Sequence, residues 1–208
     1  GTENLTFVAG SGVITVNGDV TDIDVLTAVS SGGATFNGSV NATTVVITDL
    51  AADGNDVIFN DTLTANTLVV NAGTVDYDVA LNGGGQITTG GAATTFANTG
   101  TLQIGNSADD DMFIVSGFTA LTGQSALTFG GTIRTTNTAI SIGDGDTDTT
   151  LAADTTFNAG NATLTINGDV AGAGNSLTLN TSGTTNITTN ATMTGLSSLT
   201  VSSGVVEM

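Results

Sequence analysis

FNGSVNATTVVI, residues Phe36 to Ile47, decides the fold because it returns along the chain. VNGDVTDIDVLT (Val16 to Thr27) stands before it and FNDTLTANTLVV (Phe59 to Val70) after it, in one register. Each copy has an apolar residue, a corner Asn, a Val or Leu four positions after that apolar residue, and a second apolar run. The head of the copy is a shorter phrase in which two inward residues flank one outward residue before Asn, Gly or Ser. It reads ITVN (Ile14 to Asn17), ATFN (Ala34 to Asn37), VIFN (Val57 to Asn60), VALN (Val79 to Asn82) and LQIG (Leu102 to Gly105). It continues as LTFG (Leu127 to Gly130), TTFN (Thr155 to Asn158), LTLN (Leu177 to Asn180) and LTVS (Leu199 to Ser202). The steps between successive phrases run from 20 to 28 residues, a period that marks a solenoid.

Within a phrase the alternation of inward and outward residues is the period-2 pattern of a strand. Thr, Val, Ile and Phe suit strands, while Asn and Gly suit the corner because both tolerate positive φ. No segment sustains a helical period, so the chain reads as all-β. A step of roughly 23 residues with two or three short strands matches one coil of a parallel β-helix, each strand pairing with its equivalents in the coils above and below. About nine coils follow, in one β-solenoid domain over residues 1–208. At roughly 4.8 Å per coil the rod is on the order of 40 Å long. Columns of Val, Leu, Ile, Phe and Ala fill its interior, and the corner Asn side chains are placed to bond along the axis. A β-sandwich also spaces strands between turns, but its strands seldom repeat one motif in register.

Arg134 is the only basic residue against 19 acidic ones, a net charge of -18. That balance repels phosphate and disfavours nucleic acid and anionic membrane surfaces as partners. The apolar runs are a few residues long, far from the ~20 that span a bilayer, and the opening GTENLTFVAG lacks the basic start and apolar stretch of a signal peptide. No cysteine is present, so no disulfide forms and thiols say nothing about compartment. Hydrophobic residues make up 39% and are regularly placed, which separates the chain from disordered segments of low hydrophobicity.

The FNGxVxAxTLxV style of repeat, rich in Thr, Asn and Gly and poor in Cys and Lys, resembles the passenger regions of bacterial autotransporters and the related haemagglutinin-type adhesins. The resemblance covers nearly all of the chain. It implies a right-handed parallel β-helix at the cell surface or outside the cell, with surface glycans among its partners. No β-barrel translocator or secretion-signal region is visible in the sequence.

Two acidic motifs are calcium candidates. In GDGDTDT (Gly143 to Thr149) the residues Asp144, Asp146 and Asp148 alternate, which would aim three carboxylates at one hard cation. The phrase sits in the longest step. Its fit to a calcium loop is incomplete, because Thr149 stands where the invariant Gly belongs and Thr155 where the closing Glu belongs. AADGNDVIF (Ala51 to Phe59) resembles one copy of the nonapeptide of calcium-binding β-rolls, with Asp53, Asn55 and Asp56 as candidate ligands. Such rolls need adjacent copies, and none follows nine residues on. The acidic stretch Ala108 to Asp111 has no ligand spacing.

Catalysis is not expected. One Arg with no Lys or His leaves no basic set for a polysaccharide lyase and no histidine to activate a nucleophile. An ice-binding threonine face is not evident either. The outward column Thr15, Thr35, Ile58, Ala80, Gln103, Thr128, Thr156, Thr178, Thr200 is single and interrupted. Neither end carries a helix or charged cap, so both ends of the solenoid read as sticky. Two structural roles follow: a stalk segment of an adhesin, continued by flanking coils, or the subunit of an extracellular filament stacked head to tail on itself.

Overall fold

The computed structural model describes residues 2–29, 31–50, 52, 55–88, 92–120, 123–182, 186–202 and 205–207. These residues form an all-β solenoid of about eight turns in which every strand pairing is parallel. Three faces run along the rod.

The first face holds Ile14–Val16, Ala34–Phe36, Asn55–Phe59, Tyr77–Leu81 and Thr101–Ile104. It continues through the first parts of Ala126–Arg134 and Thr149–Asn158 to Val170–Ala171 and Met193–Thr194. The second face begins with the first parts of Val20–Val29, Val40–Asp49 and Leu63–Val70. It then takes Gly85–Ile87, Asp111–Ile114, the later parts of Ala126–Arg134 and Thr149–Asn158, Ser176–Asn180 and Ser198–Ser202. The third face holds Glu3–Val8 and the later parts of the three long strands that open the second face. A single bridge from Val70 to Phe96 joins it to Thr94–Thr95, Phe118–Ala120, Ile140–Ile142, Leu164–Ile166, Asn186–Thr189 and Val205–Glu207.

The first six phrases lie on the first face, one per coil. The last three lie on the second. Leu127 is opposite Thr149, whereas Thr155 and Phe157 of TTFN pair with Gly131 and Ile133. The long step across Gly143 to Thr149 is therefore not an insertion, and the coil there has ordinary length. Strands of both faces carry the same inward–Thr–inward–Asn pattern, so the sequence alone does not mark the change of face. The outward column is corrected with it. After Thr128 the first face continues with Thr150, Ala171 and Thr194, while Thr156, Thr178 and Thr200 align with Thr132 on the second.

Inward positions stack into columns. Phe36 and Phe59, both fully buried, lie ring on ring with centroids 4.9 Å apart and planes 7° apart. Further along, Phe118 and Phe157 each meet Phe129 edge to face, at 6.0 and 5.1 Å. Each buried ring contributes ~2–3 kcal/mol by leaving water and about 1 kcal/mol more by packing on another ring.

Corners are fixed by close approach and by side-chain ladders. A Cβ on Gly38 would lie 2.6 Å from the carbonyl carbon of Gly18 in the coil before, so only glycine lets these backbones stack. Beside it the expected asparagine ladder forms. The Nδ2 of Asn37 donates to the Oδ1 of Asn17 at 2.8 Å, Asn60 donates to Asn37 at 2.9 Å, and Asn82 donates to Asn60 at 3.0 Å. Gln103 closes the ladder by donating to Asn82 at 2.7 Å.

Candidate functional site

Acidic side chains are the chemically active inventory of this chain, and the coils decide what each one meets. Asp144, Asp146 and Asp148 lie in the corner between Ile140–Ile142 and Thr149–Asn158, all exposed. The Oδ1 of Asp144 accepts the backbone N–H of Asp146 and of Thr147, each at 3.1 Å. Those bonds, the one from Asp146 first, hold its carboxyl below the usual carboxylate range. Thr147 is buried and donates its hydroxyl to the carbonyl of Gln124 at 3.1 Å, tying the corner to the coil before. Among the described residues no group of three or more Asp, Glu, His or Cys is gathered to hold a metal ion.

Asp53 lies outside the described residues. Asn55 and Asp56 begin Asn55–Phe59 and sit opposite Tyr77 and Asp78 of the next coil. Asp56 and Asp78 are thus neighbours across coils, half-buried in a shallow hollow of about 230 Å³ that Asn82, Thr101 and Gln103 also line. The Asp56 carboxyl is pushed up, first by its burial and then by its hydrogen bond to Asp78 and the charge there. Asp78 in turn accepts the N–H of Thr101 at 2.5 Å. Spacing along the chain does not reveal this pair, because the two residues stand one coil apart. Laying VIFN over VALN brings the two residues into register.

The same cross-coil capping recurs at other corners. Asp19 accepts the N–H of Ser39 at 2.9 Å, Asp154 that of Ser176 at 2.8 Å, and Asp169 that of Thr192 at 2.9 Å. The bond from Ser176 holds the Asp154 carboxyl low. In the acidic stretch Ala108 to Asp111, Asp110 caps its own turn through the N–H groups of Asn106 and Ser107, both at 2.8 Å. Asp111 instead receives Arg134 from the next coil. The guanidinium Nε and Nη2 reach its two oxygens at 2.8 and 2.9 Å, and the same guanidinium lies 4.1 Å above the Phe113 ring. The one cation of the chain is thereby spent on a bond between coils.

The carboxylates are also unevenly placed. Asp19, Asp61, Asp109, Asp110 and Asp154 lie at the corner between first and second faces. Asp76, Asp144, Asp146, Asp148 and Asp169 lie at the corner leading into the first face, which itself carries Asp56 and Asp78. Past Leu63 the described residues of the third face, and of its corner with the second, hold no acidic residue before Glu207.

No protein family matches the chain, and neither a curated protein nor a solved structure is significantly similar to it.

Proposed function

We propose that this chain is a non-enzymatic structural element of a bacterial cell surface or extracellular matrix, a stalk segment of an autotransporter-like adhesin passenger built as a right-handed β-helix. The observation that carries this reading is the stacking itself: one strand pattern repeats coil on coil, and corner side chains bond to the coil beside them. Leu5, Phe7, Ile14 and Val16 occupy inward positions yet are only partly buried, and Leu199 remains 39% exposed. Among the described residues Glu3–Val8 pairs on one edge only, with Val20–Val29, and Ser198–Ser202 on one edge only, with Ser176–Asn180. Such edges are templates for a further coil. Flanking coils in the same columns would bury these residues and extend the rod without any new kind of contact.

The carboxylate caps support a structural role, since Asp19, Asp78, Asp154 and Asp169 each accept a backbone N–H of the next coil. A second reading, a filament of copies stacked end to end, is favoured by the same open edges, because both ends present the same columns. The intact mass of the protein from its native source, fully denatured, separates the two. A mass well above 20.4 kDa supports the stalk segment. A mass at that value overturns it and makes the filament the working role.

A further inference from the structure

Four corners of the rod carry Asn followed by Gly: Asn17 and Gly18, Asn37 and Gly38, Asn82 and Gly83, Asn167 and Gly168. Asparagine is thermolabile, most of all before glycine, because a residue without a Cβ lets its amide nitrogen approach the Asn side-chain carbon. The N–H groups of Gly18, Gly38, Gly83 and Gly168 make no hydrogen bond among the described residues, so the nucleophile is free at each corner. The corners differ in how the rest is held. The ladder has a direction: Asn37 and Asn82 each donate through Nδ2 to the coil before and accept at Oδ1 from the coil after. Their glycines press on the backbone of Gly18 and of Asp61. Asn167 donates to the Gly143 carbonyl at 3.4 Å, and Gly168 is buried against the Thr147 carbonyl. Asn17 only accepts, from Asn37 at 2.8 Å, and its own Nδ2 has no partner among the described residues. Gly18 is exposed, with nothing within 4 Å of where a Cβ would stand.

We propose that Asn17 with Gly18 is a self-modification site, where the chain exchanges the Asn17 amide for a carboxylate with water as the only co-reactant. The Gly18 nitrogen bonds to Cγ of Asn17, and the bond from Cγ to Nδ2 breaks. The Gly18 proton leaves with Nδ2 as ammonia, and a cyclic imide remains. Water then adds to one imide carbonyl and opens the ring, giving an aspartate, or to the other, giving an isoaspartate whose main chain runs through the side-chain carbon. Nothing is oxidised or reduced. Ring closure turns the side chain back onto its own backbone. At Asn37 and Asn82 that breaks two ladder bonds and lifts a packed glycine, whereas at Asn17 it breaks one bond. The aspartate product separates the corners as well. At position 17 a carboxylate still accepts from Asn37, more strongly for its charge. At position 37 it has no donor for Asn17 and sets oxygen against oxygen. None of this depends on where the rod works.

Incubation of the purified chain in mildly alkaline heavy-oxygen water, followed by chymotryptic peptide mapping, tests the idea. Asn17 should gain the labelled oxygen at least about fivefold faster than Asn37, Asn82 or Asn167, the equivalent of one further hydrogen bond to break. In urea the four rates should draw together, because the residue pair is the same at each corner. Equal rates in the folded chain, or no conversion at Asn17, overturn the proposal. Gly18→Ala meets nothing within 4 Å and needs no positive φ. It should slow conversion at Asn17 by about tenfold or more with an unchanged circular dichroism spectrum, and an unchanged rate overturns the imide route. Asn17→Asp should melt within about 2 °C of the wild type, and Asn37→Asp at least about 4 °C lower. Equal losses at the two positions would overturn the claim that the ladder's end accommodates the product.

Discussion

The two halves of the rod turn the same corner in different ways. In the N-terminal half the first face ends at Asn17, Asn37, Asn60 and Asn82, the chain breaks there, and the second and third faces run on as single strands such as Val20–Val29 and Val40–Asp49. In the C-terminal half Gly130 stands where the asparagine stood. The first and second faces fuse into Ala126–Arg134 through a bulge at Gly131, whose φ is 76°, and the break moves on to Asn137. One cross-section is therefore compatible with two placements of the break. Where the corner residue is an asparagine bonded to its copy one coil away it makes a ladder and a stop, and in Ala126–Arg134 the strand bends through the corner at Gly130 and Gly131.

The interior should be indifferent to that choice, and the largest expected effects test this. Phe59→Ala in the laddered half and Phe129→Ala in the bulged half should each cost ~3–5 kcal/mol in urea unfolding, the usual loss for a buried ring. A loss below about 1 kcal/mol at either site would show that half to be loosely packed. The next effect separates the halves. Gly131→Ala forces a Cβ onto a positive φ and against the Asp110 carbonyl, a strain of ~1–3 kcal/mol. Gly18→Ala, at the other corner, meets nothing within 4 Å and has no positive φ, so it should stay within ~0.5 kcal/mol. Equal costs at the two glycines would mean that the bulge does not set the bend.

The strand pattern, the period and the asparagine ladder were legible in the sequence because each is a local rule repeated once per coil. The phase between faces was not. TTFN and LTLN satisfy the first-face pattern as well as LTFG does, and only pairing shows that Thr155 lies opposite Gly131. Alternation suggested a shared target for Asp144, Asp146 and Asp148. Hydrogen bonds inside the corner, which turn Asp144 toward its own backbone, have no trace in that spacing. For Asp56 the partner was Asp78, one coil away, and spacing along the chain does not reveal a neighbour across coils.

A smaller effect probes the ladder. Asn60 both donates to Asn37 and accepts from Asn82, so Asn60→Ala breaks two bonds and should cost about 1 kcal/mol. Asn17→Ala at the ladder's end removes one and should cost about half as much. Thermal melts of the two variants measure the ratio. Equal losses would mean that the asparagines act singly at their own corners.

The smallest effect is the pH response, and it has opposite signs at two carboxylates. Asp154 has a folded pKa below its unfolded value, so its cap stabilises the fold above the unfolded value of about 4 and is lost as pH falls through the folded one. Asp56 has a folded pKa above its unfolded value, so the folded state takes up its proton first. Stability from that group therefore grows as pH falls through the folded pKa and is complete below the unfolded one. General relief of the -18 charge pushes the same way as Asp56, so the wild-type melting curve alone does not separate them. Asp56→Asn does, because it leaves the other carboxylates in place. Between pH 7 and about 4.5 the variant should lose part of the rise in melting temperature that the wild type shows. Asp154→Asn should instead flatten the fall at lower pH. Identical profiles for Asp56→Asn and the wild type would mean that the Asp56–Asp78 contact does not hold a proton, and that the rise belongs to the charge of the whole rod.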